Sequence, residues 1–187
     1  AFTNTQYDEV GWFYCSGSSD EIDRYVSYNY AENAWAYGQL RRYAWLDSGV
    51  EAYPRATDNG FLYEHETGFD DDGTPMTNVF VESSDFDIGD GEQFAFINRM
   101  IPDIRFLSNA SGGKVNIVLK TRNFPGDSLT TNSTTPINST TQQSHVRARA
   151  RQAVVRVESD DDDTDANTST GWRLGATRLD VRADGRR

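Results

Sequence analysis

Along the chain, short apolar and aromatic runs alternate with polar, turn-forming stretches, recurring roughly every 8 to 14 residues from residue 9 to 100. Residues 9–16 (EVGWFYCS) and 24–30 (RYVSYNY) read as two strands around a polar turn at 17–23. In the second, Val26, Tyr28 and Tyr30 share one face and Ser27 and Asn29 the other, the period of two that a half-buried strand requires. Residues 31–46 could also be written as a helix. Gly38 mid-segment, the ring residues and turn-prone Asn33 favour a strand beginning at Trp35 instead.

Further short strands are predicted over 42–47 and 52–56, then at Phe61–Tyr63, Val79–Val81 and Phe94–Ile97. The turns between them are Asp58-Asn59-Gly60, Asp70 to Gly73 and Gly89-Asp90-Gly91. Pro102 marks an edge or a boundary, because proline cannot donate to a central ladder. Lys114–Arg122 (KVNIVLKTR) has the cleanest alternation, with Val115, Ile117 and Leu119 on one face. Residues 123–144 are so rich in Ser, Thr and Asn that they read as a long exposed loop.

Two later segments change their apolar parity part-way. Val146, Ala148 and Ala150 give way to Ala153, Val155 and Val157; Trp172, Leu174 and Ala176 give way to Leu179 and Val181. A strand that changes its buried face contains a bulge or bends between sheets. The pattern predicts one long bent hairpin over 146–182, with Arg147 or Arg149 near Asp180. The whole reads as an all-β chain. Residues 1–102 are expected to form propeller-like blades and 103–187 a β-sandwich-like part.

Composition then narrows the chemistry. The chain is 36% hydrophobic and 12% aromatic with a net charge of −11, enough for a core but without the basic footprint of a nucleic-acid binder. The charge is lopsided: residues 1–100 hold 19 acids and 5 bases, residues 101–187 hold 10 and 13. A single cysteine, Cys15, excludes an intrachain disulfide framework and a Cys-rich zinc site, and its place after Trp12-Phe13-Tyr14 predicts a buried thiol. No apolar run is long enough to span a bilayer, and no stretch has the form of a secretory signal. The sequons at Asn109, Asn132, Asn138 and Asn167 therefore read as accidents of composition. Strand-like sequence so close to Ala1 reads as the C-terminal piece of a longer polypeptide, with part of its sheet supplied upstream.

No constellation carries a clear chemistry. Asp70, Asp72, Asp85 and Asp87 come nearest to a cation site but lack a fixed ligand spacing, the run 70–73 lacking the distant bidentate Glu of a calcium loop. Asp90 and Glu92 extend the second cluster, and Asp160 to Asp163 read as solvated surface. His65 between Glu64 and Glu66 has no nucleophile at a recognisable elbow. Trp12, Trp35, Trp45 and Trp172 read as core or interface anchors, with a sugar-stacking platform as the alternative. Arg147, Arg149 and Arg151 share a strand face, expected to be paired with carboxylates rather than phosphates. No catalytic, metal or cofactor site is expected.

Several segments resemble, in order, the C-terminal regions of tailed-phage tail hub or nozzle proteins of the podovirus type, also described as packaged-DNA stabilisation proteins. They are EVGWFYCSGSSDEIDRYVSYNYAENAW (9–35), GQLRRYAWLD (38–47), GFLYEHETGFDDDG (60–73), ESSDFDIGDGEQFAFINRMIPDIRF (82–106) and GWRLGATRLDVRADGRR (171–187). The resemblance implies a structural, non-enzymatic virion protein. Its fold would be a propeller with further β structure. It would assemble with other tail proteins as a ring, a hexamer, around a channel that passes double-stranded DNA without reading its sequence. A carbohydrate- or receptor-binding tail module is the alternative, and a glycan-degrading enzyme a more distant one.

Overall fold

The computed structural model describes residues 1–71, 74–76, 78–88, 91–107, 113–160 and 171–186. The described residues form strands, turns and irregular segments, with no helix. The all-β expectation holds. The chain divides into two compact units, Ala1–Gly68 and Phe69–Arg187. The division falls well before residue 102, because the strands at Phe80–Glu82 and Ala95–Ile101 pair with partners later in the chain.

In the first unit, β1 (Phe2–Asn4), β2 (Glu9–Tyr14), β3 (Arg24–Asn29) and β4 (Ala34–Gln39) form an antiparallel meander in that order. A second meander follows: β5 (Ala44–Leu46), β6 (Arg55–Asp58) and β7 (Phe61–Glu64). Asn59 and Gly60 close the β6–β7 hairpin with φ of 47° and 85°, the left-handed pair that a two-residue hairpin turn needs. The two sheets meet at rings. Phe2 stacks on Phe13 at 4.7 Å, and Trp45 lies 5.0 Å from Phe2 and 6.1 Å from Phe13. The Trp45 indole Nε1–H donates to the Thr3 carbonyl at 2.7 Å, so the ring buries its body and satisfies its polar edge. Gly11 is required here, since a Cβ would stand 2.3 Å from the Phe2 ring.

The second unit begins with the short ladder β8 (Asp70–Asp71) and β9 (Thr74–Pro75). Then come β10 (Phe80–Glu82), β11 (Ala95–Ile101), β12 (Ile104–Phe106), β13 (Lys114–Arg122), β14 (Thr130–Asn138), β15 (Ser144–Ala150), β16 (Gln152–Ser159), β17 (Trp172–Leu174) and β18 (Arg178–Ala183). One sheet runs β10-β16-β13-β14, another β15-β11-β18, and β12 pairs with β17. Their inner faces share one core. It contains Val115, Ile117 and Leu119 of β13, Ile97 and Met100 of β11, and Ile137, Val146, Ala148, Ala153 and Val157. This is the sandwich-like part.

Three expectations are corrected. The polar segment 123–144 is not one long loop: β14 pairs with β13 from Lys114↔Asn138 to Thr121↔Thr130. An edge strand needs only one apolar anchor, and Ile137 is fully buried; β-branched threonines suit the pleat, and Pro136 is tolerated at an edge. The bent hairpin 146–182 does not form. Each parity change does mark a bend: at Arg151 the chain leaves the sheet of β15 for that of β16, and across Gly175–Thr177 it passes from the β17 ladder to β18. Yet β11 lies between β15 and β18. The bent ladder joins 95–106 to 172–183, breaking at Pro102 on one side and Gly175 on the other. There the Gly175 N–H donates to the Asp103 carbonyl at 2.7 Å, and a Cβ on Gly175 would sit 2.5 Å from Asp103 Oδ2. Finally, Cys15 is exposed, because β2 ends at Tyr14 and the chain turns outward.

Candidate interaction surfaces

The register of the first sheet sorts its residues into two faces. Trp12 lies opposite Val26, and Val26 opposite Tyr37; Tyr28 lies opposite Trp35. These side chains and Tyr14 therefore share the face turned away from Phe2 and Phe13. Trp35 packs on Tyr28 at 4.7 Å and stacks beside Trp12 at 6.4 Å, and the Tyr28 hydroxyl donates to Asn33 Oδ1 at 2.7 Å. The face is open: Trp12 is 43% exposed, Tyr14 44%, Trp35 64% and Tyr37 74%. Its outer strand β4 carries no charged residue and, among the described residues, has no ladder partner beyond β3. Uncharged, unpaired edges and contiguous apolar faces are what folded chains usually cover.

The opposite face encloses a polar cluster. The Asn4 side-chain amide donates to Glu66 Oε1 at 3.0 Å. Burial pushes the Glu9 carboxyl up, with the Glu66 charge adding to it. The Glu66 side chain keeps an exposed edge, yet partial desolvation raises its carboxyl too, against the lowering effect of the Asn4 hydrogen bond. Tyr25 is raised by burial and then by both carboxylates. Next to it, buried Arg42 donates from Nε to His65 Nε2 at 2.9 Å, lies over the Tyr63 ring at 4.4 Å and approaches Asp58 at 3.9 Å. The Trp45 ring covers His65 at 4.8 Å. His65 is thus an acceptor for arginine rather than a base beside a nucleophile. Asp47 ties the sheets together: burial would raise its carboxyl, but hydrogen bonds from Thr5 N–H, the Thr3 hydroxyl and Ser48 N–H hold it low.

In the second unit the outward side of β15-β11-β18 is an arginine face. Arg147 and Arg149 extend from β15, Arg99 from β11, and Arg178 and Arg182 from β18. Asp180 pairs with Arg99 at 3.8 Å, and Asp184 pairs with Arg149. Arg147 and Arg178 have no carboxylate within ion-pair distance among the described residues. Phe96 lies between Arg149 and Arg182 in the register, with the Arg182 guanidinium 6.0 Å from its ring. Arg151 stands apart, at the strand break, donating to the Gly91 carbonyl at 3.3 Å and the Arg186 carbonyl at 3.4 Å.

The predicted residues scatter accordingly. Trp12 and Trp35 lie on the open face, Trp45 in the ring core, and Trp172 half-buried with its indole donating to Ser159 Oγ at 3.0 Å. Among the described residues, the carboxylate pairing expected along the arginine strand applies to Arg149 and not to Arg147 or Arg151. Of the acidic candidates, Asp85 pairs with Arg122 and Asp70 sits in the β8–β9 ladder. Asp72, Asp90, Asp161 to Asp163, Asn109 and Asn167 lie outside the described residues. Among the described residues no group of three or more His, Cys, Asp or Glu side chains is placed to hold a metal ion, and no helix is long and apolar enough to cross a membrane. Tyr28, Tyr37, Arg99, Arg178 and Arg182 are additions, legible only once the strands are placed in register. Compared with known proteins, the chain matches no family model and no curated sequence.

Proposed function

We propose that this chain is a non-enzymatic structural protein of a phage tail, one protomer of a homo-oligomeric ring around the channel through which double-stranded DNA leaves the virion. The observation that carries the reading is the open aromatic face of β2–β4 with its bare edge, a surface that a lone chain leaves unfinished. The ordered resemblance of segments 9–35, 38–47, 60–73, 82–106 and 171–187 to hub and nozzle proteins supports the same role. In that arrangement the two meanders of the first unit serve as propeller blades, and the ring has six copies. The acidic balance of residues 1–100 suits a wall that must pass phosphates without gripping them. Electron microscopy of the purified chain at high concentration tests this: closed rings with a central channel are expected, and dispersed single particles at every concentration refute it.

A second reading has one observation in its favour. Trp12, Trp35 and Tyr37 also suit stacking against sugar rings, as in a receptor-binding module. Glycan-array binding lost in Trp35→Ala, with no assembly at any concentration, would select it over the ring.

A further inference from the structure

We infer that the aromatic face of β2–β4 in one copy is covered by the arginine face of β15-β11-β18 in the next. This deepens the ring reading, on which it rests, by naming the two faces that meet. At roughly 150–250 Å² per aromatic side chain, the open fractions of Trp12, Tyr14, Trp35 and Tyr37 amount to about 400 Å² of exposed ring surface. A patch of that size lies within the roughly 300–600 Å² of a monomer's largest apolar patch, which is often functional. The occupant follows from charge and chemistry. Residues 1–68 carry eleven acidic and four basic side chains, and Arg24, the base that the register places beside Tyr14 on this face, is paired with Asp23, so a second copy of this net-negative unit is repelled. Among the described residues the arginine face has five guanidiniums against two carboxylates, and it is the complementary surface of the same chain.

The molecule already packs arginine on rings in both units: Arg42 over Tyr63 at 4.4 Å, Arg149 over Phe94 at 4.1 Å and Arg156 over Phe80 at 3.7 Å. Tyrosine, tryptophan and arginine are also the residues that dominate binding energy at protein interfaces. Because the two faces differ, the contact is head-to-tail, the kind that closes into a ring when the rotation allows. It also keeps the arginines out of the channel.

The test uses two double variants of the full chain, Trp35→Ser with Tyr37→Ser, and Arg147→Glu with Arg178→Glu. All four side chains are exposed, so both should fold; Arg147→Gln with Arg178→Gln is the milder alternative if the charge reversal does not. Light scattering after size-exclusion chromatography should show assembly weakened at least about tenfold in each. Mixed, the two variants should form a one-to-one dimer, since each still owns one intact face. If wild-type chain is monomeric throughout, the ring reading fails and this inference with it. If wild-type assembles but either variant assembles equally well, only this inference is overturned. It is overturned in the same way if the arginine variant still assembles and instead loses binding to a duplex DNA probe.

Discussion

The strand β14 gives the sharpest test of how a segment with almost nothing to bury holds its place. Eight of its nine residues are polar or proline, and Ile137 alone is buried, at 1% exposure, against the core that Val115 and Ile117 line. Ile137→Ala removes three carbon atoms from that core. At ~0.8 kcal/mol per methylene the transfer part is about 2.4 kcal/mol. The residual cavity brings the total to about 3 kcal/mol, inside the range for such truncations. Because the chain divides into two compact units, the assay must report on one of them. Hydrogen exchange along a urea series, read from peptides of β13 and β14, does so. The Lys114–Thr121 amides that face β14 should lose protection together with those of 130–138. Exposed Thr134→Ala should cost less than about 0.5 kcal/mol. If Ile137→Ala cost no more than Thr134→Ala, the segment would be the loop its composition suggests, and the β13–β14 pairing would be wrong.

Two further predictions concern the first unit. Gly11→Ala drives a Cβ to 2.3 Å from the Phe2 ring and 2.8 Å from the Val26 carbonyl oxygen, so it should destabilise that unit by about 1–3 kcal/mol in chemical denaturation. A cost near zero would mean that Phe2 does not occupy the face of β2. Glu9 and Glu66 are both raised, so the folded unit holds protons that the unfolded chain releases. Their contribution is therefore most favourable below the ordinary carboxylate range and is lost as pH rises through their raised folded values. Glu66→Gln should flatten that fall and raise the melting temperature at pH 7, measured by thermal melts at pH 4 and 7. An unchanged slope would refute the coupling.

Much of the fold is legible because strands announce themselves locally. Asn59-Gly60 dictates its own turn, Lys114–Arg122 alternates cleanly, and the parity changes at Arg151 and Gly175 locate real bends to within a residue or two. Partner choice is not legible. A period of two states which face is buried but not which strand lies alongside, so the pattern alone points β18 to β15 when β11 stands between them. The division after Gly68 is hidden for the same reason: β10 and β11 resemble the strands before them yet pair with strands beyond residue 140. Residues 130–138 mislead differently, because threonine supports a strand by geometry while composition counts it as polar. The surfaces are half legible. Four tryptophans stand out by type, but that Trp12 and Trp35 share an open face with Tyr28 and Tyr37, while Trp45 turns inward, depends on register. The arginines of β11 and β18 join those of β15 only through the topology.

The central claim is that this chain completes its open faces by assembly. Native mass spectrometry of the full chain, at low ionic strength and rising concentration, tests it most directly. A single closed species of six copies is the predicted result. A monomer at every concentration, or a ladder of masses with no closed size, would contradict it.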